Sequence, residues 1–360
     1  MQLLVLNQHL ERVGMVTQFT SLRWRRKYVG AGEFELHAPI KYADLLAPTN
    51  ILYRKDDLEA AHIVARQYAQ DSSGIEEVVA TGYMLKDYLS RRCFLAPVTL
   101  HGKPEDVIRS VVDMHAISAR SDRIIPHLIL EPHQGYIGTD IQYQAEMGAG
   151  VLVEIGALEM YSGLSGYIGL DPQCQTLIFR IRQGLRRTLD QDVNPRAILT
   201  LEGGMITEPI YTQTLSNYGS VAIVEGSDRV LEVEQAQGLD RYEVYCDATS
   251  LQKTYFDGDE QIVLTETEYV AALKQRGAEA LAERRPVQTL DAKVVANDNL
   301  IYKSEYDLGD IVTIKLKRWN VQADVRIAEI EEIYEVGGPT IYLTVGDPAP
   351  TLYEKITTRR

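Results

Sequence analysis

Ser21-Leu22-Arg23-Trp24-Arg25-Arg26-Lys27, followed after Gly30-Ala31-Gly32 by Phe34-Glu35-Leu36-His37-Ala38-Pro39, decides how this chain is read. Leu22, Trp24 and Arg26 alternate with Ser21, Arg23 and Arg25, and Phe34, Leu36 and Ala38 repeat the period of two. Side chains on a strand point alternately to its two faces, so each stretch has one face for a core and one half-exposed face. The glycine-rich triplet supplies the turn, and Pro39 closes the second strand because proline has no N–H to give to a ladder.

The same rhythm extends outward. Leu3-Leu4-Val5-Leu6 and the stretch after Arg12-Val13-Gly14 read as a hairpin, and Ile51-Leu52-Tyr53 and Ile75 to Tyr83 continue the pattern. Residues 1–97 are therefore expected to form a small antiparallel barrel or sandwich. Near Val98 the period changes. Gly102-Lys103-Pro104-Glu105-Asp106 opens a helix, with proline in the first turn and two carboxylates at the positive end of the macrodipole. Val107, Ile108, Val111, Val112 and His115 then share a face. A second helix is expected from Met147 to Tyr161, then a hairpin that turns at Asp171-Pro172 between Tyr167-Ile168-Gly169-Leu170 and Thr176–Ile181. Residues 98–205 thus read as a mixed α+β domain.

From 206 to 225 the chain reads as strands again. Thr265-Glu266-Thr267-Glu268 is a capping box ahead of Tyr269, Val270, Leu273, Ala280 and Leu281 at helical spacing. After Arg285-Pro286 period two returns in Val312, Ile314 and Leu316 and in Ile341, Leu343 and Val345. Val325 and Ile327 lie in one phase and Ile330 in the other, which predicts a bulge near Ala328. The fold class is α+β, mainly β: a second β-barrel over 206–360, interrupted at about 228–284 by a helix-bearing segment.

Composition narrows the function. A chain of 360 residues, 45% hydrophobic, buries ample core and predicts two or three domains. Cys93, Cys174 and Cys246 are widely separated with no CxxC pair, so neither a disulfide framework nor a zinc site is expected. The stretch Met1 to Gln8 lacks a basic region ahead of a long apolar core, and no apolar run approaches the roughly 20 residues of a membrane span. A soluble protein made in the cytoplasm is expected. The formal charge of −14 argues against sequence-specific nucleic-acid binding, whose footprint is basic.

Motifs that carry chemistry are weak. His127, Glu131 and His133 could be offered as a metal cluster, but Pro126 and Pro132 make the segment extended and the HExxH spacing is missing, so a solvent-facing loop is expected. Gly163-Leu164-Ser165-Gly166 lacks the spacing of a nucleophile elbow, and Gly30-Ala31-Gly32 lacks the third glycine of a dinucleotide fingerprint. Asp56-Asp57, Glu76-Glu77 and Glu331-Glu332 are adjacent pairs that a strand sends to opposite faces, and all are expected to be solvated. Arg23-Trp24-Arg25-Arg26-Lys27 reads as a strand with one exposed basic face ahead of a nucleic-acid contact. No catalytic, cofactor-binding or metal-ligating residue is assigned.

One resemblance joins these readings. Tyr306-Asp307-Leu308-Gly309-Asp310-Ile311-Val312, then Arg326-Ile327-Ala328-Glu329-Ile330-Glu331-Glu332, then Gly346-Asp347-Pro348-Ala349-Pro350-Thr351-Leu352, with Leu273-Lys274-Gln275-Arg276-Gly277 after the capping box, resembles tail proteins of the baseplate-hub class from siphophages and prophages. The match is fullest from about residue 200 onward. It implies two tube-protein-like barrels per chain and a homotrimeric ring, without catalysis, in the virion tail or a tail-like particle. It also implies as partners a tail tube or distal tail protein, a spike or tip protein, and a tape-measure protein. Gly138 to Gly150 has no counterpart in that pattern and suggests a partner peculiar to this chain. The rival readings are a carbohydrate-binding adhesin of the same particle, favoured by the 21 tyrosines, and a cell-wall hydrolase, which needs two converging carboxylates. The tyrosines are scattered over every segment rather than clustered.

Overall fold

The computed structural model describes residues 1–70, 74, 76–257, 260–294, 300–335 and 337–346. Ile75 and residues 347–352 of the C-terminal motif lie outside the described residues. Among the described residues strand makes up 45% and helix 18%.

The first region carries β1 (Leu3–Leu6), β2 (Arg12–Val16), β3 (Ser21–Lys27), β4 (Glu33–Pro39), β5 (Ile51–Tyr53), β6 (Ala61–Gln70) and β7 (Glu76–Met84). The middle carries β8 (Val98–Gly102), α1 (Pro104–Val112), β9 (Leu128–Leu130), β10 (Ile141–Ala145), α2 (Val151–Ser162), β11 (Ser165–Asp171), β12 (Thr176–Arg182), β13 (Arg186–Arg187) and β14 (Ile198–Thr200). The last third begins with β15 (Ile206–Thr214), β16 (Val221–Gly226), β17 (Val230–Val233), β18 (Glu243–Ala248), β19 (Thr254–Asp257) and β20 (Glu260–Val263). It continues with α3 (Glu266–Ala282), β21 (Val287–Val294), β22 (Ile311–Leu316), β23 (Val321–Glu335) and β24 (Gly338–Gly346).

One sheet of 14 strands joins the first region to the last, in the order β15-β21-β24-β23-β3-β4-β7-β6-β5-β1-β2, with β22 branching from β23 and β13 and β14 pairing with β22. The path does not close on itself among the described residues. It does curl. Val16 of β2 and Leu22 and Trp24 of β3, from opposite ends of the first seven strands, share one core with Phe34, Leu36 and Val78. Ile206 of β15 and Leu199 of β14 likewise share a second core with Leu290, Ile314, Ile327 and Leu343.

β23 is the strand common to both wraps. Its first half pairs with β22, from Val321↔Leu316 to Arg326↔Ile311, and its second half pairs with β3, from Glu329↔Lys27 to Tyr334↔Leu22. The register breaks between Ile327 and Glu329, where the alternation predicted a bulge and where β23 changes partner. The extra residue explains how Ile327 and Ile330 are both fully buried, each in the phase its own neighbours require.

The middle region packs on the first: Leu6, Ile51, Leu85 and Leu89 share a core with Val107, Val111, Ile155 and Phe179. α1 begins at Pro104 as read from sequence and runs into a π-helical turn, Asp113–Ile117. α2 begins at Val151 rather than Met147, because Met147 and Gly148 form a turn, with Gly148 at φ +89°, that hydrogen bonds to Phe94 hold in place. The capping box is formed, with Thr265 accepting from the Glu268 N–H and Glu268 reaching back to the Thr265 N–H. Val221–Gly226 is a strand as expected, but it pairs with β17 and β18 under α3 instead of joining β15 and β21.

Candidate functional site

The ladder between β3 and β23 brings a basic strand against an acidic one. On its outer face Arg23 and Arg25 reach Glu331 at 2.9 and 3.1 Å, Arg25 also reaches Glu33 at 2.8 Å, and Lys27 lies 3.9 Å from Glu329. The exposed basic face expected at Arg23–Lys27 is therefore neutralised within the chain, which removes it as a phosphate-binding stripe.

On the inner face the charges are buried. Arg26 stands in phase with Leu22 and Trp24 and is 1% exposed; Arg54 is 0% exposed. Arg54 donates to Glu332 at 2.8 Å, to Asp56 at 2.7 Å and to the Tyr334 hydroxyl at 2.9 Å, and it lies over the Trp24 ring. Arg26 donates to Asp307 at 2.8 Å and to the Tyr302 hydroxyl, and Tyr302 in turn donates to Glu332 at 3.0 Å. Asp57, fully buried at its side chain, sits 3.7 to 3.9 Å from Arg26, Arg54 and Lys303. Burial would raise the Glu332 carboxyl, but the Arg54 charge and the hydrogen bonds from Arg54 and Tyr334 hold it below its ordinary value. Asp57 and Glu332 thus depart from the solvated state expected of adjacent acids. On β23 the neighbours Glu331 and Glu332 point to opposite faces, one of which is core, and in the turn after β5 Asp56 and Asp57 diverge as well: Asp56 and Glu331 stay near water while Asp57 and Glu332 are enclosed.

The motif Asp307-Leu308-Gly309-Asp310 works as a clasp across this seam. Gly309 has φ +93°, and a Cβ there would stand 2.1 Å from the Tyr28 ring, so only glycine lets the chain pass. Tyr28 donates to the Gly163 carbonyl at 2.8 Å and stacks under Arg326, tying β3 to the end of α2. Asp310 accepts from Arg187 at 2.7 Å and from the Leu185 N–H at 2.8 Å. A second buried pair, Lys86 with Glu159 at 2.7 Å, links the end of the first region to α2, and Glu159 also accepts from the Gly166 N–H at 2.6 Å. Burial raises the Glu159 carboxyl against the opposing pull of Lys86.

The sequence candidates for chemistry are not assembled. His133 turns to Asp106 at 2.8 Å and Glu105 at 3.6 Å, while Glu131 pairs with Arg180. His127 is not among those contacts, and it sits at φ +65° in the turn before β9. Ser165 is 0% exposed, with its hydroxyl against Arg182. A cleft of about 490 Å³ beside Leu4, Arg12, Met15 and Tyr334 contains one carboxylate, Asp56, which Arg54 already engages. The buried charges were the part that sequence reading missed; the signal was Arg26 in phase with two core residues, since an arginine on an apolar face needs acidic partners.

This curled sheet with a shared long strand defines a class, the fold of phage and prophage tail proteins. A tail protein from Neisseria meningitidis MC58 superposes with a TM-score of 0.59 at 14% identity, covering 96% of each chain. The 43 kDa tail protein of prophage MuSo2 from Shewanella oneidensis gives 0.56 at 10% identity over 96% of this chain and 98% of that one. Prophage tail protein gp18 from Listeria monocytogenes EGD-e gives 0.55 at 11% over 99% and 98%. No curated protein matches in sequence. The family model described as Siphovirus ReqiPepy6 Gp37-like protein matches residues 2–347, and the chain belongs to that siphovirus tail-protein family.

Proposed function

We propose that this chain is a non-catalytic hub of the tail, a ring that adapts the tail tube to the tip or spike complex. The observation that carries the reading is the single sheet that wraps two cores around one shared strand, its main path ending, among the described residues, at β2 on one side and β15 on the other. Each wrap acts as one tube-like barrel, the first over residues 1–97 and the second within 206–360 with β13 and β14 added to its sheet, while the rest of the mixed region 98–205 and the insert at about 228–284 are set outside them. Two different ends of one sheet suit a head-to-tail contact between copies, and such a contact gives a ring when its rotation closes. Three copies of two wraps present six similar units, which fits a sixfold tube. The distal tail protein, the spike and the tape-measure protein are the partners in this arrangement, which assembles in the host cytoplasm. The net charge of −14 favours a neutral to acidic lumen that does not hold a passing genome.

The test is the symmetry of the assembled tail tip by electron cryomicroscopy. Three copies with a lumen free of a continuous Lys/Arg lining are expected; two or six copies would remove the hub reading. Loss of peptidoglycan or polysaccharide mass on incubation with the pure protein would replace it with the hydrolase reading.

A further inference from the structure

The two ends of the main sheet path carry opposite features. At the β2 end lies the cleft of about 490 Å³, whose apolar wall includes Leu4 and Met15, directly opposite each other on β1 and β2. A space of this size takes a few side chains. Arg12 and Lys55 line the same cleft, both exposed, and neither makes an ion pair or a side-chain hydrogen bond among the described residues. Its carboxylate, Asp56, is held by Arg54 at 2.7 Å. The cleft is therefore part apolar and part positive, in a chain whose net charge is −14. Two copies of such a chain repel overall, so a contact between them needs a local positive surface of this kind.

At the β15 end the chain forms a knob. The register of β15 against β21 breaks between Thr207 and Ile210, and Glu208 and Pro209 fall in the break. Glu208 has φ +54°, a left-handed conformation that a residue with a Cβ holds only where its surroundings impose it. Pro209 has no N–H to give, so plain strand addition is blocked there. A bulge re-aims side chains, and here Glu208 is exposed and Ile210 is 63% exposed. The Glu208 carboxylate has no cation beside it among the described residues. Blunting the strand against aggregation needs only the bulge and the proline; the exposed Ile210 contributes nothing to that.

We infer that the Glu208–Ile210 knob of one copy docks in the cleft of the next copy, with the Glu208 carboxylate on Arg12 and Lys55 and the Ile210 side chain on Leu4 and Met15. This rests on the hub reading and names its contact surface. A head-to-tail ring needs two different patches on every copy, and the cleft and the knob are two such patches, set at the two ends of one sheet path. The occupant is a second copy because the complement of the cleft, an acid next to an exposed apolar side chain, is carried by the chain itself. Opposite charges across such a contact fix its orientation and exclude wrong pairings.

Electron cryomicroscopy of the assembled tail tip at side-chain resolution tests this: Glu208 of each copy should lie within hydrogen-bond distance of Arg12 or Lys55 of its neighbour. Charge reversal gives a second arm. Arg12→Glu with Lys55→Glu, and separately Glu208→Arg, change only exposed side chains, so both proteins should melt like the parent. Each should lower incorporation of the full chain into tails by about ten-fold or more, because like charges then meet at every contact. All three changes in one chain restore opposite charges around the ring and should bring incorporation back to within about three-fold of the parent. A tip without threefold symmetry overturns the hub reading and this contact with it. A threefold tip in which Glu208 lies away from the cleft, in which a reversal incorporates like the parent, or in which the triple change recovers nothing, leaves the hub standing and overturns the contact.

Discussion

Arg54 and Glu332, 278 residues apart in the chain, meet at 2.8 Å in a buried ion pair that ties the chain just after β5 to β23. Two charges leave water at this point, which costs several kcal/mol per ion, and the cost is offset only because each has further partners. Arg54 has Asp56, Tyr334 and the Trp24 ring; Glu332 has Tyr302 and Tyr334. The pair therefore sets register and orientation between the two wraps more than it adds net stability.

That distinction has a measurable consequence. Arg54→Ala leaves Glu332 buried beside two phenols without a cation and should destabilise the protein by about 3–5 kcal/mol. Replacing both partners, Arg54→Met with Glu332→Leu, should lose less than the sum of the two single changes, because no lone charge remains. Denaturant melts of the four proteins give the cycle. Additive losses would mean that the pair contributes nothing as a pair.

Gly309→Ala isolates the clasp. The residue would be strained at φ +93° and its methyl would meet the Tyr28 ring, so a loss of about 2–4 kcal/mol is expected. Tyr28→Leu in the same background clears the ring and should recover part of that loss. Parent-like stability of Gly309→Ala in thermal unfolding would show that the chain at Asp307–Asp310 moves freely away from Tyr28.

Local signals in the sequence were legible to different depths. Period two at 21–39 and 311–345 identified the strands, and the phase slip at Ile327–Ile330 located the bulge, because both depend only on neighbours along the chain. The partner of each strand was not legible. Val221–Gly226 alternates no differently from the strands of the large sheet, and its place in the sheet under α3 is decided by Leu251, Tyr269 and Leu273, which share a core with its Ala222 and Val224. The buried seam was hidden for the same reason: Glu332 looks like any surface acid until β3 lies beside it.

Thr265→Ala tests the capped start of α3, a helix end already defined by the sequence. The hydroxyl accepts from the Glu268 N–H and the Glu268 carboxylate accepts from the Thr265 N–H, so the substitution unmakes half of a reciprocal pair. A loss of about 1 kcal/mol is expected, seen as faster hydrogen exchange in the first turn of α3. Exchange unchanged there would mean that packing on Tyr269 and Leu273 alone holds the helix start.

Acid should act in opposite directions on two parts of the molecule. The Glu332 carboxyl is held below its ordinary value despite burial, so its contribution to stability is present above the unfolded-state value and is lost as pH falls through the folded one. Glu279 and Glu283 behave in reverse. They lie on and just beyond α3, which packs on β10 and α2, and burial raises both, with Arg276 and Arg284 opposing and Glu154 adding repulsion. Gln275 and Arg276 contact Glu279 directly, while Glu154 is hydrogen-bonded by Tyr143 at 2.6 Å. A raised carboxyl favours the folded state in acid and loses that advantage as pH rises through its folded value. Hydrogen exchange corrected for its intrinsic rate should therefore show α3 gaining protection as pH falls from about 7 to about 5, and β23 losing protection below about pH 4. If both segments lose protection together, the acidic cluster at α3 is neutralised by its arginines, and the two wraps and the insert respond to acid as one cooperative unit.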